Sequence, residues 1–150
     1  MKMKWIIAIL LTNMILLQAK AQILKPVHWS YGAKKISAGE AVVFIKATID
    51  DDWHVYSQFV KEGGPVKTTI TFKTSPEYMT EGATIEPKPI VRMEKVFNMN
   101  VGFFEHSVIF QQKIKLKASQ TVVQGTLEYM TCDDHQCLPP ENIDFSIPVK

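Results

Sequence analysis

The stretch VIFQQKIKL, residues 108–116, decides the fold class. Its apolar side chains Val108, Phe110, Ile114 and Leu116 fall on one side of an extended chain. Gln111, Lys113 and Lys115 fall on the other side. This alternation with a period of two is typical of a half-buried β-strand and not of a helix. The same pattern recurs in Val42–Ile49.

Further strands are predicted on both sides of these two segments, because no stretch from residue 22 onward has a helical period. They lie at Val27–Tyr31, Val66–Lys73, Ile90–Val96, Thr121–Met130 and Ile143–Val149. Clusters of Gly, Pro, Asp and Ser separate the runs, as in turns. Short strands with one-sided apolar faces predict an all-β fold, an antiparallel two-sheet β-sandwich formed by one domain over residues 22–150.

The first 21 residues have the pattern of a signal peptide that is removed on export. Lys2 and Lys4 precede a mostly apolar run of 13 residues, Trp5–Leu17. The small residues of Ala19-Lys20-Ala21 then predict cleavage before Gln22. An uncleaved membrane anchor is the alternative, but the run is too short to span a bilayer. We therefore expect a periplasmic or secreted protein with no stable membrane insertion after cleavage.

The charge balance excludes a class of partner. The whole chain has 17 basic and 15 acidic residues and a formal charge of +2. Removal of residues 1–21 takes away three lysines and no acid, which leaves 14 basic residues and a charge of −1. A nearly neutral surface of mixed sign offers no electrostatic footprint for nucleic acid. Export also permits a disulfide between the two cysteines.

Those cysteines lie in the segment Cys132-Asp133-Asp134-His135-Gln136-Cys137, which we expect to form a surface connection between two strands. A disulfide that closes so short a loop stabilises a fold by only about 2 kcal/mol. It therefore adds little stability and is well suited to reversible oxidation and reduction. Pro139 and Pro140 stiffen the exit from the loop. Asp133 and Asp134 should raise the pKa of the thiols, and His135 should oppose them when protonated.

Four interpretations of this loop stay open from its residues alone. The cysteines can form a structural hairpin disulfide, as is common in exported proteins. They can remain two unpaired thiols. They can bind zinc together with His135, although no fourth ligand is evident. They can also exchange disulfides with another protein, a reaction that needs no metal and no organic cofactor.

Two aromatic segments are candidates for the surroundings of this loop. Trp53-His54-Val55-Tyr56 lies at a strand edge, and Phe103-Phe104 follows Gly102 in an apparent turn before the Val108 strand. Aromatic residues near strand ends are most often part of the core. Adjacent residues of an extended chain point in opposite directions, however, so Phe103 and Phe104 cannot both enter one core layer.

In the residues described above, the chain resembles the N-terminal periplasmic domain of the thiol:disulfide interchange protein DsbD. The resemblance rests on the cysteine loop with its exit Leu138-Pro139-Pro140-Glu141, on Trp53–Tyr56 and on Gly102–Phe104, and it spans Val27–Val149. It implies an immunoglobulin-like β-sandwich with a redox-active cysteine pair.

The resemblance also implies roles for single residues. Cys137 would form the mixed disulfide with a partner, and Cys132 would resolve it. Phe103, with Phe104 beside it, matches an aromatic cap that shields the disulfide until a partner docks. Tyr56 matches an aromatic that lines the site, and His54 stands where the family has a second tyrosine.

The implied function is a relay of electrons from a membrane disulfide reductase or a thioredoxin-like domain to periplasmic disulfide proteins. This is the activity of a protein-disulfide reductase. The membrane and thioredoxin-like domains of the family lie outside this sequence, so we expect either that a separate membrane reductase serves it or that its exchange function has drifted. The alternative function is a non-catalytic immunoglobulin-like binding module whose disulfide only stiffens a loop.

Overall fold

The structure is a computed structural model that describes residues 24–150, so the predicted signal peptide lies outside the described residues. These residues form eleven β-strands and no helix. The strands are β1 (Val27–Ser37), β2 (Glu40–Ile49), β3 (His54–Tyr56), β4 (Thr69–Phe72), β5 (Tyr78–Ile85), β6 (Ile90–Glu94), β7 (Met99–Glu105), β8 (Ser107–Leu116), β9 (Thr121–Tyr129), β10 (Thr131–Cys132) and β11 (Glu141–Val149).

The strands pair into three sheets, and every pairing is antiparallel. The first sheet has the order β1-β2-β8-β5 and the third the order β11-β9-β4. The second sheet has the order β10-β3-β7-β6; in the chain β3 follows β2, β7 precedes β8, and β10 follows β9. The prediction of an all-β antiparallel sandwich is confirmed, although the strands form three sheets where two were predicted.

The main hydrophobic core joins the first and third sheets. It contains Ile45 and Phe110 from the first sheet, and Leu127 and Ile147 from the third. In β2 and β8 the exposed and buried residues alternate as the sequence predicts, with one addition. Gln112 occupies a core-facing position of β8, where its amide donates to the carbonyl oxygens of neighbouring residues. Backbone acceptors thus satisfy a polar side chain on an apolar face.

Several predicted boundaries change. The strand expected over Val66–Lys73 is only the four residues of β4, and β5 was not predicted because most of its residues are exposed and carry no apolar alternation. The turn predicted at Gly102–Phe104 is wrong, since these residues lie inside β7. The chain turns instead at His106, whose φ is 60°. In the part of the chain that the structure describes, no helix is long and apolar enough to cross a membrane.

Candidate functional site

The second sheet has one face in the main core and one face that carries the cysteines. Its register pairs Val55 with Phe104 and Tyr56 with Phe103. Val55 and Phe104 belong to the main core. Tyr56 and Phe103 belong to a second hydrophobic cluster together with Val101 and Cys132. The neighbouring phenylalanines therefore point in opposite directions, as strand geometry requires, and only Phe103 lies on the cysteine face.

The two cysteines form a disulfide with an S–S distance of 2.02 Å, and the two residues differ in exposure. Cys132 is the last residue of β10 and is 1% exposed, whereas Cys137 lies beyond the strand and is exposed. The prediction that both thiols sit on a surface connection is therefore wrong for Cys132. The reason is that Cys132 pairs with His54 across the β3–β10 ladder, so a segment that looks like a loop extends the sheet by two residues.

The loop between the cysteines is a tight turn built around Asp133. The Asp133 amide donates to the Gln136 carbonyl oxygen at 2.9 Å. The Asp133 carboxylate accepts hydrogen bonds from the amides of His135 at 2.7 Å and Gln136 at 2.6 Å. These backbone donors, His135 first, hold the pKa of Asp133 below its usual range. Asp133 therefore shapes the loop in addition to charging it. His135 and Asp134 are exposed.

His54 and Tyr56 form the buried polar part of the site. Their side chains share the cysteine face of β3, and His54 Nε2 lies 3.1 Å from Tyr56 Oη. Burial raises the pKa of Tyr56 to about 12, with a smaller contribution from Glu94. Burial, followed by the positive charge of Arg92, lowers the pKa of His54 from its usual value. At neutral pH both side chains are uncharged.

Arg92 of β6 is a site residue that the sequence analysis missed. Its guanidinium lies 4.4 Å from the centre of the Phe103 ring. Its Nε donates to Glu94 Oε1 at 2.8 Å, and its Nη2 lies 3.6 Å from Asp134 Oδ1 in the cysteine loop. One cation therefore links β6, β7 and the loop. The alternation in Ile90–Glu94 shows that Arg92 and Glu94 share a face, but only the pairing with β7 reveals which face that is.

An open cleft of about 690 Å³ gives access to the disulfide. Its lining comprises His54 and Tyr56, residues 92–97, and the whole loop 132–137. The turn between β6 and β7 supplies Val96, which is 88% exposed, and the half-buried Phe97. Phe103 is 1% exposed and lies behind the cleft wall, and among the described residues neither Phe103 nor Phe104 belongs to the lining. No sequence pattern indicated that the β6–β7 turn belongs to the site.

The part of the chain that the structure describes provides a disulfide and no prepared metal site. Among residues 24–150, no three His, Cys, Asp or Glu side chains are grouped so that they could hold a metal ion. The bond between Cys132 and Cys137 also occupies both sulfurs that a zinc site with His135 would use. What this arrangement can do is present the exposed residue Cys137 to another protein while Cys132 stays buried in the sheet.

Three solved structures share this fold at low sequence identity. The N-terminal periplasmic domain of ScsB from Proteus mirabilis has a TM-score of 0.59 and 19% identity, and the match covers 84% of this chain and 47% of that one. This chain thus spans about half the length of that relative. The Neisseria meningitidis DsbD N-terminal domain in the reduced form has a TM-score of 0.50 and 15% identity, with coverages of 78% and 82%.

The third structure is the complex between the DsbD N-terminal and the PilB N-terminal domains from Neisseria meningitidis. It has a TM-score of 0.55 and 14% identity, and the match covers 83% of this chain and 87% of that one. These likenesses confirm the predicted immunoglobulin-like sandwich.

A comparison with curated protein sequences gave no match. Residues 20–148, in contrast, match the family described as thiol:disulfide interchange protein DsbD, N-terminal. That range contains β1 to β10, the whole cysteine loop and all of β11 except its last residue. The chain therefore belongs to the DsbD N-terminal domain family.

Proposed function

We propose that this protein is a periplasmic thiol–disulfide exchange module that works through the Cys132–Cys137 disulfide. The observation that carries this proposal is the unequal exposure of the two sulfur-bearing residues at one cleft. A structural disulfide gains nothing from a cleft that leads to it. An exchanging disulfide requires one accessible sulfur and a second one that a partner cannot reach.

The exposure supports a role for each cysteine. In the reduced protein the Cys137 thiolate attacks a partner disulfide, which forms a mixed disulfide and releases one partner thiol. Cys132 then attacks the Cys137 sulfur, which re-forms the intramolecular disulfide and releases the second partner thiol. Two electrons pass to the partner in the forward direction. The reverse sequence, with a reduced donor protein, reduces the Cys132–Cys137 disulfide again. Cys137 is the exposed residue and Cys132 the buried one, which supports this order.

The surrounding residues have supporting roles in this proposal. Asp133 and Asp134 disfavour a thiolate at the loop, so stray reaction is slow until a partner docks. His135 offsets them only when it is protonated. Tyr56 and Phe103 form the wall behind Cys132 and shield it, while Phe104 anchors the same strand in the main core.

The partners that we propose are thioredoxin-like domains and a membrane disulfide reductase. The support for a protein partner is that a structure of this fold is a complex between two N-terminal domains, those of DsbD and PilB. The periplasmic location rests on the signal peptide predicted at residues 1–21 and on a structural relative described as a periplasmic domain. The region that matches the family begins at residue 20, next to the predicted cleavage site.

The reduction potential of the Cys132–Cys137 pair tests the proposal. We expect a value above about −300 mV, within reach of thioredoxin-like proteins. Equilibration with thioredoxin of known potential, followed by alkylation and mass determination, measures it. A value well below about −300 mV marks a structural bond. In that case the protein is a binding module with a stiffened loop, and the exchange reaction is excluded.

A trapping experiment with two matched variants tests the roles of the cysteines. Cys132→Ser retains the exposed thiol and should accumulate mixed disulfides with an oxidised thioredoxin-like protein. Cys137→Ser retains the buried thiol and should not. Non-reducing gel electrophoresis separates the products. If Cys137→Ser traps the partner and Cys132→Ser does not, the assigned order of attack is reversed.

A further inference from the structure

His54 lies next to the buried cysteine. The β3–β10 register places His54 directly opposite Cys132, so both side chains emerge on the same face of the second sheet. Side chains opposite one another in an antiparallel pair have Cβ atoms about 4.5–5.5 Å apart, which lets an imidazole reach a neighbouring sulfur. Both residues also line the cleft.

The buried position of Cys132 disfavours the ionisation that its reaction requires. To resolve the mixed disulfide its thiol must become a thiolate, because the thiolate is the nucleophile. Cys132 is 1% exposed, and burial in apolar surroundings disfavours the charged form of a thiol. The carboxylates of the loop oppose the same ionisation. A nearby proton acceptor removes this obstacle.

We propose that His54 accepts the proton that Cys132 gives up when it resolves the mixed disulfide. The inference rests on the proposed exchange function and assigns a role that the sequence analysis did not give to His54. In this step the Cys132 thiol attacks the Cys137 sulfur while its proton moves to the imidazole. The Cys132–Cys137 bond forms, the bond between Cys137 and the partner breaks, and the partner leaves as a thiolate. The imidazolium then returns its proton to that thiolate or to water.

The tautomer that this step needs follows from the hydrogen bond to Tyr56. When His54 Nε2–H donates to Tyr56 Oη, 3.1 Å away, Nδ1 remains unprotonated and can accept. Tyr56 keeps its own proton at neutral pH, since its pKa is about 12. The phenol also holds the imidazole in one orientation, as an orienting partner does for a general base.

The charges around His54 keep it in the accepting form. Burial and the guanidinium of Arg92 on β6 lower its pKa, and these effects outweigh Glu94 on β6, Glu105 on β7 and Asp134 in the loop, which raise it. The imidazole is therefore neutral at the pH of the exchange reaction. It becomes protonated, and loses its ability to accept, only in acid.

The experiment isolates the resolution step with dithiobis(nitrobenzoate), a small symmetrical disulfide. Reduced protein attacks the reagent through Cys137 and releases one coloured thiolate. The attack by Cys132 then releases a second one, at a rate independent of reagent concentration. The leaving thiolate is weakly basic, so the second phase reports deprotonation of Cys132. It is measured by stopped-flow absorbance between pH 5.5 and 9 for wild type, His54→Gln and the matched control His28→Gln, which replaces an exposed histidine.

We expect the wild-type second phase to be nearly independent of pH above pH 6.5 and to slow in acid. In His54→Gln it should be about 10- to 100-fold slower at pH 6.5, since a thiol with a pKa near 8.5 is only about 1% ionised there. The deficit should shrink up to tenfold for each pH unit until it disappears. His28→Gln should follow the wild type. Should His54→Gln fail to fold, His54→Phe keeps an aromatic ring at the position and removes the acceptor.

The possible failures are distinguishable. If the wild type releases both thiolates and His54→Gln keeps the wild-type pH profile, His54 is not the acceptor and the exchange function stands. A uniform slowing of His54→Gln at every pH also overturns the inference, because it indicates a purely structural role. If the wild type releases only one thiolate, Cys132 does not resolve and the proposed exchange function itself is wrong.

Discussion

Replacing each of the adjacent residues Phe103 and Phe104 by Ala tests the division of the second sheet into two faces. Their rings are 1% and 5% exposed, so each truncation opens a cavity and should cost about 3–5 kcal/mol of unfolding free energy. Phe103 also loses its contact with the Arg92 guanidinium, worth about 0.5–1 kcal/mol. Because domains are usually stable by about 5–15 kcal/mol, variants of a domain near the middle of that range remain folded.

The two variants should differ in the reduction of the disulfide. Phe103→Ala removes part of the wall behind Cys132, so we expect dithiothreitol to reduce its disulfide several-fold faster than that of the wild type. Phe104→Ala loses similar stability in the main core and should be reduced at the wild-type rate. Urea unfolding of the oxidised proteins measures the first effect, and timed alkylation measures the second.

Two results would refute this reasoning. A stability loss below about 1 kcal/mol for Phe103→Ala contradicts the burial of its ring. Equal acceleration in both variants shows that reduction proceeds through global unfolding, and then the wall behind Cys132 has no protective role. Phe104→Ala is the matched control because it has a comparable stability loss and lies on the opposite face of the same strand.

Three further outcomes are expected. Phe97→Ala should speed reduction by dithiothreitol, because Phe97 lines the cleft, whereas Phe59→Ala, at an exposed position outside it, should not. Asp133 has a lowered pKa, so its charge stabilises the fold above the unfolded pKa of about 3.9, and this contribution is lost as the pH falls through the lower folded value. The urea midpoint of Asp133→Asn should therefore fall less between pH 7 and pH 3 than that of the wild type. Gly125→Ala should lower the unfolding free energy by about 1–3 kcal/mol or more in urea titration, because its Cβ would overlap the Phe145 ring and a backbone oxygen of β4.

The strands of the main core were predictable because the alternation of apolar and polar residues is visible within each strand by itself. In β2 and β8 the side chains alternate between core and solvent, and a period of two is visible in any single strand. β5 was not predicted, because a strand whose residues mostly face solvent shows no alternation of apolar and polar residues. The wrong prediction of a turn at Gly102 has a different cause. Glycine is typical of a turn, but a Cβ at this position would lie 3.1 Å from Pro89, so the glycine permits a close approach between β7 and the residue before β6.

The site could be predicted only in part, because its geometry depends on pairing between distant strands. The cysteine pair and the aromatic segments are visible in the sequence. The position of Arg92 against Phe103 follows from the register that pairs Arg92 with Val101, and no local pattern contains that register. The burial of Cys132 likewise depends on its pairing with His54, which lies 78 residues earlier in the chain.

The same register determines which sulfur a partner can reach. A shift of one residue between β3 and β10 would turn Cys132 towards the main core and Thr131 towards the cleft. A hydrogen bond from Thr131 of β10 opposes such a shift, and one from Thr68 holds the other end of β3. Thr131 Oγ1 donates to the His54 carbonyl oxygen at 2.8 Å, and Thr68 Oγ1 donates to the Tyr56 carbonyl oxygen at 2.6 Å. Both ends of β3 are thereby fixed, so the difference between a covered and an exposed cysteine is a consequence of strand pairing and not of the loop sequence alone.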